Sequence, residues 1–220
     1  MTWWMIILSI VVGYLMGSLS MSVIVSRLFY KGDVRKYGSG NAGATNMARV
    51  YGWKGGLVVL IGDIAKAIIA MVIFLVLGNK IDGRGEDYMC IAGAACTFGH
   101  AFPLFFKFKG GKCVTVGAAV ALMIDWRVFL IAIGAFIIVV LITKIVSISS
   151  ITAAITFPVS YVLLGVWNVY EISAAKLILS VFVGVFIIVL HYKNIIRLFK
   201  GEEKRFSFKK NTDKKSADEH

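Results

Sequence analysis

Gly56–Leu77, GLVVLIGDIAKAIIAMVIFLVL, decides the fold. At about 1.5 Å of rise per residue, a helix over this run crosses the roughly 30 Å hydrocarbon core of a bilayer. Only Asp63 and Lys66 interrupt it with charge. Comparable apolar runs lie at Trp3–Ser26, Tyr88–Phe106, Cys113–Ile124, Val128–Ile142, Ile151–Trp167 and Leu177–Ile196. Hydrophobic residues are 59% of the 220 and the mean hydropathy is +0.82, more than a soluble domain accommodates. The expectation is an all-α integral membrane protein, a single domain over residues 1–203, built as a bundle of about seven transmembrane helices. Cys113–Ile124 covers only about 18 Å as a helix, so five spans plus a re-entrant hairpin is the alternative. The first run has no basic stretch ahead of it and reads as a span rather than a cleaved signal peptide. Residues 204–220 are polar and mixed in charge and read as a disordered cytoplasmic tail.

The formal charge of +12 sits between the spans. Nucleic acid is excluded as a partner, because orientation in the membrane explains the positions better. Arg27, Lys31, Arg35, Lys36, Arg49, Lys54, Lys107, Lys109, Lys112, Lys144, Lys193, Arg197 and Lys200 fall on one side, against Lys80, Arg84, Arg127 and Lys176 on the other. Positive loops stay inside, which predicts an outer N-terminus and a cytoplasmic C-terminus. Cys90, Cys96 and Cys113 form no paired motif and read as small packing residues, with no metal site.

Two polar islands share the basic side. The first is GSGNAGATNMAR, Gly38–Arg49, and the second is GHAFPLFFKFKGGK, Gly99–Lys112. Glycines let backbone N–H groups converge on an anion, and Arg49 and Lys112 can neutralise it. Ser39, Asn41, Thr45 and Asn46 add donors with little bulk; Thr45 is a candidate cap for a short helix through Arg49 towards Gly52. Gly110, Gly111 and Lys112 stand at the start of the next apolar run, where helix N–H groups favour an anion. The spacing is not that of a nucleotide-binding phosphate loop. His191 and Asn194 lie three apart and share a helix face; they fit a proton acceptor with an orienting amide as well as they fit an interfacial helix end. His100 reads as a positioning residue. Asp63 and Lys66, also three apart, read as a mutual pair that fixes packing. Pro158 predicts a kink, and the Gly13–Gly17 spacing a close helix contact.

Together GSGNAGATNMAR, GHAFPLFFKFKGGK and HYKNIIRL at 191–198, followed by Gly201-Glu202, resemble the three cytoplasmic motifs of the bacterial acyl-phosphate:glycerol-3-phosphate acyltransferases, the PlsY family. The resemblance implies transfer of a long-chain acyl group from acyl phosphate to the 1-hydroxyl of glycerol 3-phosphate. The products would be lysophosphatidate and phosphate, in the first acylation of phospholipid synthesis, with no cofactor. It implies a multi-pass protein of the bacterial inner membrane with a cytoplasmic active site, touching membrane lipid and, as a further partner, the enzyme that makes acyl phosphate. By the resemblance, Ser39 and Arg49 match the essential serine and arginine, and Gly110, Gly111 and Lys112 the glycerol-phosphate loop. His191 and Asn194 match the active histidine and asparagine, and Glu202 a structural glutamate. Cys113 stands where the family usually has glycine. The competing reading is a transporter of organic phosphates, which would put more polar groups through the spans.

Overall fold

The computed structural model describes residues 1–203 and Arg205; the expected tail over 204–220 otherwise lies outside the described residues. Among the described residues every regular element is helical: α1 Trp3–Gly17, α2 Met21–Tyr30, α3 Ala44–Tyr51, α4 Trp53–Ile81, α5 Gly85–Ala101, α6 Val114–Ile124, α7 Trp126–Thr143, α8 Val146–Val166, α9 Ala174–Leu190 and α10 Tyr192–Phe199, with 3-10 turns at Val34–Lys36 and Leu104–Phe106. Five helical stretches are long and apolar enough to cross a membrane: Trp3–Tyr30, α4, Gly85–Phe106, α7 and α8. A sixth is added if α9 and α10, bent by 55° at their junction, are taken as one span. The protein is thus a multi-pass membrane protein, with five or six such spans among the described residues. The expected count of seven would also need α6, whose 11 residues are too short for a bilayer core.

The first span departs from the continuous helix expected over Trp3–Ser26. It breaks at Ser18–Ser20, between α1 and α2. Lys66 on α4 stabilises the break by donating to the carbonyls of Gly17 at 3.1 Å and Leu19 at 2.7 Å. The small-residue seam predicted for α1 is real: Gly13 packs on the backbone of Ala92, and Gly17 on that of Cys96, in α5. With no side chain there, the two backbones approach closely. α8 runs through Pro158 without ending. Proline removes the N–H that would pair with Ala154 O, and that carbonyl instead faces Gly184 of α9, where an added Cβ would lie 2.5 Å away.

The buried charges expected to pair do so. Lys66 Nζ lies 2.8 Å from Asp63 Oδ1 and 3.0 Å from His100 Nδ1. The Lys66–Asp63 approach is off the hydrogen-bonding direction, so Asp63 Oδ1 accepts no hydrogen bond despite the short separation. All three side chains are buried. The cluster ties α4 to the α1–α2 break and to the end of α5. Two charges with few alternatives in a low-dielectric bundle act here as a clamp on helix position.

Candidate active site

The first island folds around one amide. Asn46, on α3, is buried; its Nδ2 donates to the carbonyls of Val34, Tyr37 and Asn41, each at 3.1 Å, and its Oδ1 accepts from Ser39 N at 2.9 Å. Asn46 was expected to offer its amide to a ligand. Its hydrogen-bonding capacity is instead consumed in holding the loop, so it is a positioning residue. The short helix expected through Arg49 is α3, and it ends at Gly52. Its cap is Gly43 rather than Thr45, which sits inside the first turn.

Among the described residues, the side chains of Ser39, Asn41, Thr45 and Arg49 make no hydrogen bond or ion pair within the protein. Two unpaired polar groups on a loop that Asn46 holds in place, and two on the helix α3 that follows it, give a ligand site the free donors it needs. The charged neighbours differ in kind. Asp33 binds Arg35 through both oxygens at 2.9 and 2.8 Å, and the guanidinium holds the Asp33 carboxyl well below the usual carboxylate range. Arg35 then donates to Phe106 O at 2.8 Å and Lys109 O at 3.2 Å, stitching the first island to the second.

In the second island the glycine amides do not converge on an open site. Gly110 N donates to Ala101 O at 3.1 Å, and Gly111 N to His100 O at 3.0 Å. The loop is laced to the end of α5 by its own backbone. This corrects the expectation that both amides face an anion. What the island keeps for an anion is Lys112 and the first turn of α6, whose leading N–H groups have no partner within the helix. Cys113 adopts the left-handed conformation with φ +62°, which glycine would take without strain. Its thiol is buried, donates to Thr97 O at 3.2 Å, and is pushed up by burial. That excludes a thiolate nucleophile at this position.

Lys112 is the centre. Its Nζ donates to Asn194 Oδ1 on α10, joining the second island to the third motif. Burial holds its pKa down to about 8, and the charges of Arg197 and Arg49 push the same way against the pull of Glu203. Arg197 and Arg49 both bear on Lys112, against the Glu203 carboxylate, which leaves this corner short of negative charge. A phosphate dianion would complete it.

Asn194 does not orient His191, as expected. It bridges Lys112 to Glu203, donating through Nδ2 to Glu203 Oε1 at 2.6 Å. Glu203 also accepts from Arg197 Nε at 2.7 Å. The glutamate that braces this corner is therefore Glu203, one residue beyond the expected Glu202, whose side chain is exposed. His191 is fixed by a backbone carbonyl: its Nδ1 lies 2.7 Å from Ile187 O. That contact assigns the proton to Nδ1 and leaves Nε2 as the lone-pair nitrogen. Burial keeps the ring's pKa down to about 4, so His191 is neutral near pH 7. An apolar pocket between α6, α7, α8 and α9 is lined by Val114, two residues from Lys112, and by Gly117, Ala121, Phe129, Phe157 and Ile187.

The family described as glycerol-3-phosphate acyltransferase matches residues 7–201. A glycerol-3-phosphate acyltransferase of Chlorobaculum tepidum is 41% identical, with 90% of this chain and 95% of the relative aligned. Glycerol-3-phosphate acyltransferase 2 of Bacillus anthracis is 37% identical over 90% and 98%. The crystal structure of PlsY, an integral membrane glycerol 3-phosphate acyltransferase, superposes in its glycerol 3-phosphate form with a TM-score of 0.80 at 32% identity, covering 92% of this chain and 96% of that one. Its lysophosphatidic acid form gives 0.78.

Proposed function

The chain belongs to the glycerol-3-phosphate acyltransferase family, and from that premise we propose that it moves a fatty acyl group from acyl phosphate to the 1-hydroxyl of glycerol 3-phosphate. The observation that carries the reading is Lys112. It stands at an anion-favouring helix start, with Arg49 within electrostatic reach and an apolar pocket lined by Val114, two residues away. A polar phosphate and a long acyl chain are thereby offered adjoining places. The relatives' names and the two ligand forms of the solved neighbour support the acceptor and the product class.

Acyl phosphate is a mixed anhydride with phosphate as leaving group, so the hydroxyl oxygen attacks the carbonyl carbon in one step and the C–O bond to phosphate breaks. No acyl-enzyme is required, which fits a site whose buried thiol is pushed up. Lys112, Arg49 and the first turn of α6 hold the glycerol phosphate, and Ser39, Asn41 and Thr45 supply donors to the reacting carbonyl or the second phosphate. Holding both substrates in register can supply on the order of 7–11 kcal/mol. His191 Nε2 takes the hydroxyl proton in its neutral form. With a pKa of about 4 it is a weak base, and the leaving phosphate is the competing proton acceptor. Replacing His191 with Ala is expected to lower turnover at saturating substrate by about 10²–10⁴-fold. Turnover close to the parent's would assign the proton to phosphate. The basic loops support a site on the cytoplasmic face of the bacterial inner membrane, the side on which phosphorylated metabolites and an acyl-phosphate-producing enzyme would be at hand.

Purified protein incubated with labelled glycerol 3-phosphate and acyl phosphate should yield labelled lysophosphatidate. Product formed only from an acyl thioester would overturn the donor assignment, and uptake into vesicles without any new product would point to the transporter. A second expectation concerns pH. Bound phosphate stabilises the Lys112 ammonium, so its pKa rises on binding and affinity depends on its protonation in the free site. KM for glycerol 3-phosphate should be flat from roughly pH 6.5 to 8 and then rise by up to about tenfold per pH unit. A KM that falls above pH 8 would remove Lys112 from phosphate binding.

A further inference from the structure

Helix α10 has two faces with different destinations. Asn194 points inward to Lys112 and Glu203. On the opposite face Tyr192, Ile196 and Phe199, four and three residues apart, line up and are 56%, 50% and 90% exposed. Lys193 and Lys200 are exposed at the edge of that apolar stripe, and Lys193 Nζ lies 5.7 Å from the Tyr192 ring centroid. Neither lysine makes an ion pair among the described residues, whereas Arg197 is taken by Glu203. The helix leaves α9 at 55°, so it does not continue the line of the long apolar helix before it. The turn has a local cause: the His191 ring competes for Ile187 O, the acceptor that its own backbone N–H also uses, and interrupts the helical ladder.

We infer that α10 is an interfacial docking helix for an anionic lipid surface, on the leaflet that borders the site. Tyr192, Ile196 and Phe199 enter the boundary of the acyl chains, and Lys193 and Lys200 reach the headgroups with their stems laid along the apolar stripe. Continuity with α9 brings the bilayer to this helix without any added partner. The two unpaired lysines select negative over zwitterionic headgroups. The same helix carries Asn194, so docking fixes the partner of Lys112; this consequence rests on the acyltransferase reading.

The test uses the full chain carrying Phe199→Cys, labelled with an environment-sensitive thiol fluorophore. The three native cysteines are buried, so the label reports position 199. In phosphatidylcholine vesicles containing phosphatidylglycerol, the emission should shift to the blue and be quenched by nitroxide lipids. Converting Lys193 and Lys200 to Gln should cancel the part of that shift that depends on phosphatidylglycerol. In the unlabelled chain the same pair of changes should lower acyl transfer in those vesicles about threefold or more, with transfer in pure phosphatidylcholine unchanged. Quenching by aqueous iodide in both lipids, or an unchanged response to phosphatidylglycerol in the double variant, overturns the proposal. A parent chain inactive in every lipid would instead sink the acyltransferase reading, because the fluorescence result does not depend on activity.

Discussion

Replacing Lys112 with Met is expected to lower kcat/KM for glycerol 3-phosphate by about 10²–10³-fold, the usual loss for one donor aimed at developing or bound negative charge. The same change should leave the thermal midpoint at neutral pH equal to or above that of the parent. The two expectations come from one fact. Lys112 is largely withdrawn from water in a place where Arg197 and Arg49 oppose its charge, which is why its pKa falls to about 8. Its folded-state pKa lies below its unfolded value, so carrying the proton at pH 7 costs folding stability. That cost is present in full below about pH 8 and fades as the pH rises towards the unfolded pKa of about 10.4. Methionine keeps the apolar stem and removes the charge. A loss of activity accompanied by a lower midpoint would mean that Lys112 holds the bundle together through Asn194. Loss of activity at constant or raised stability marks a group whose strain is relieved by substrate. Arginine is not a conservative replacement, because its planar fork needs more room than the ammonium that meets Asn194 Oδ1.

The membrane class was legible because apolar runs report burial in lipid directly. Helix ends were less so. Where α1 gives way to α2, the sequence reads on without proline at the break, and the cause lies on α4, where Lys66 takes two carbonyls. Site membership was legible at the level of residue type and blurred at the level of role. Asn46 and Asn194 are both polar residues in polar motifs, and nothing in their spacing tells a ligand contact from a brace. Only hydrogen-bond accounting separates them from Ser39, Asn41 and Thr45, whose side chains are unpaired among the described residues. Glu202 and Glu203 are adjacent acids, and the turn at Gly201 decides which one faces Asn194 and Arg197. The glycines misled for a related reason. Composition shows that a loop can expose its amides; it does not show that His100 and Ala101 already accept them. Arg197 was read only as one of the basic-side charges, although its place three residues after Asn194 puts it on the same side of α10.

Gly110→Ala should cost at least about 10² in kcat/KM, the penalty for misplacing a catalytic group by about an ångström. The glycine is not needed for an unusual backbone angle; it is needed for room. A Cβ there would lie 2.0 Å from His100 O, 2.7 Å from Ala101 O and 2.7 Å from Pro103 Cδ. The first two are the carbonyls that accept Gly111 N and Gly110 N. Neither can swing aside as a flexible side chain would, since both belong to the last turn of α5. His100 is further pinned by Lys66 at 3.0 Å. The loop has to lift, both hydrogen bonds lengthen, and Lys112, two residues on, is carried off Asn194 and away from Arg49. Overpacking of this kind costs about 1–3 kcal/mol of stability, a loss a multi-helix bundle can absorb while remaining folded. Gly134→Ala supplies the control, for an added Cβ on α7 meets nothing within 4 Å, and it should leave activity unchanged. If Gly110→Ala retains parental kcat/KM, the glycine loop does not set the position of Lys112, and the phosphate must be held from the Arg49 side alone.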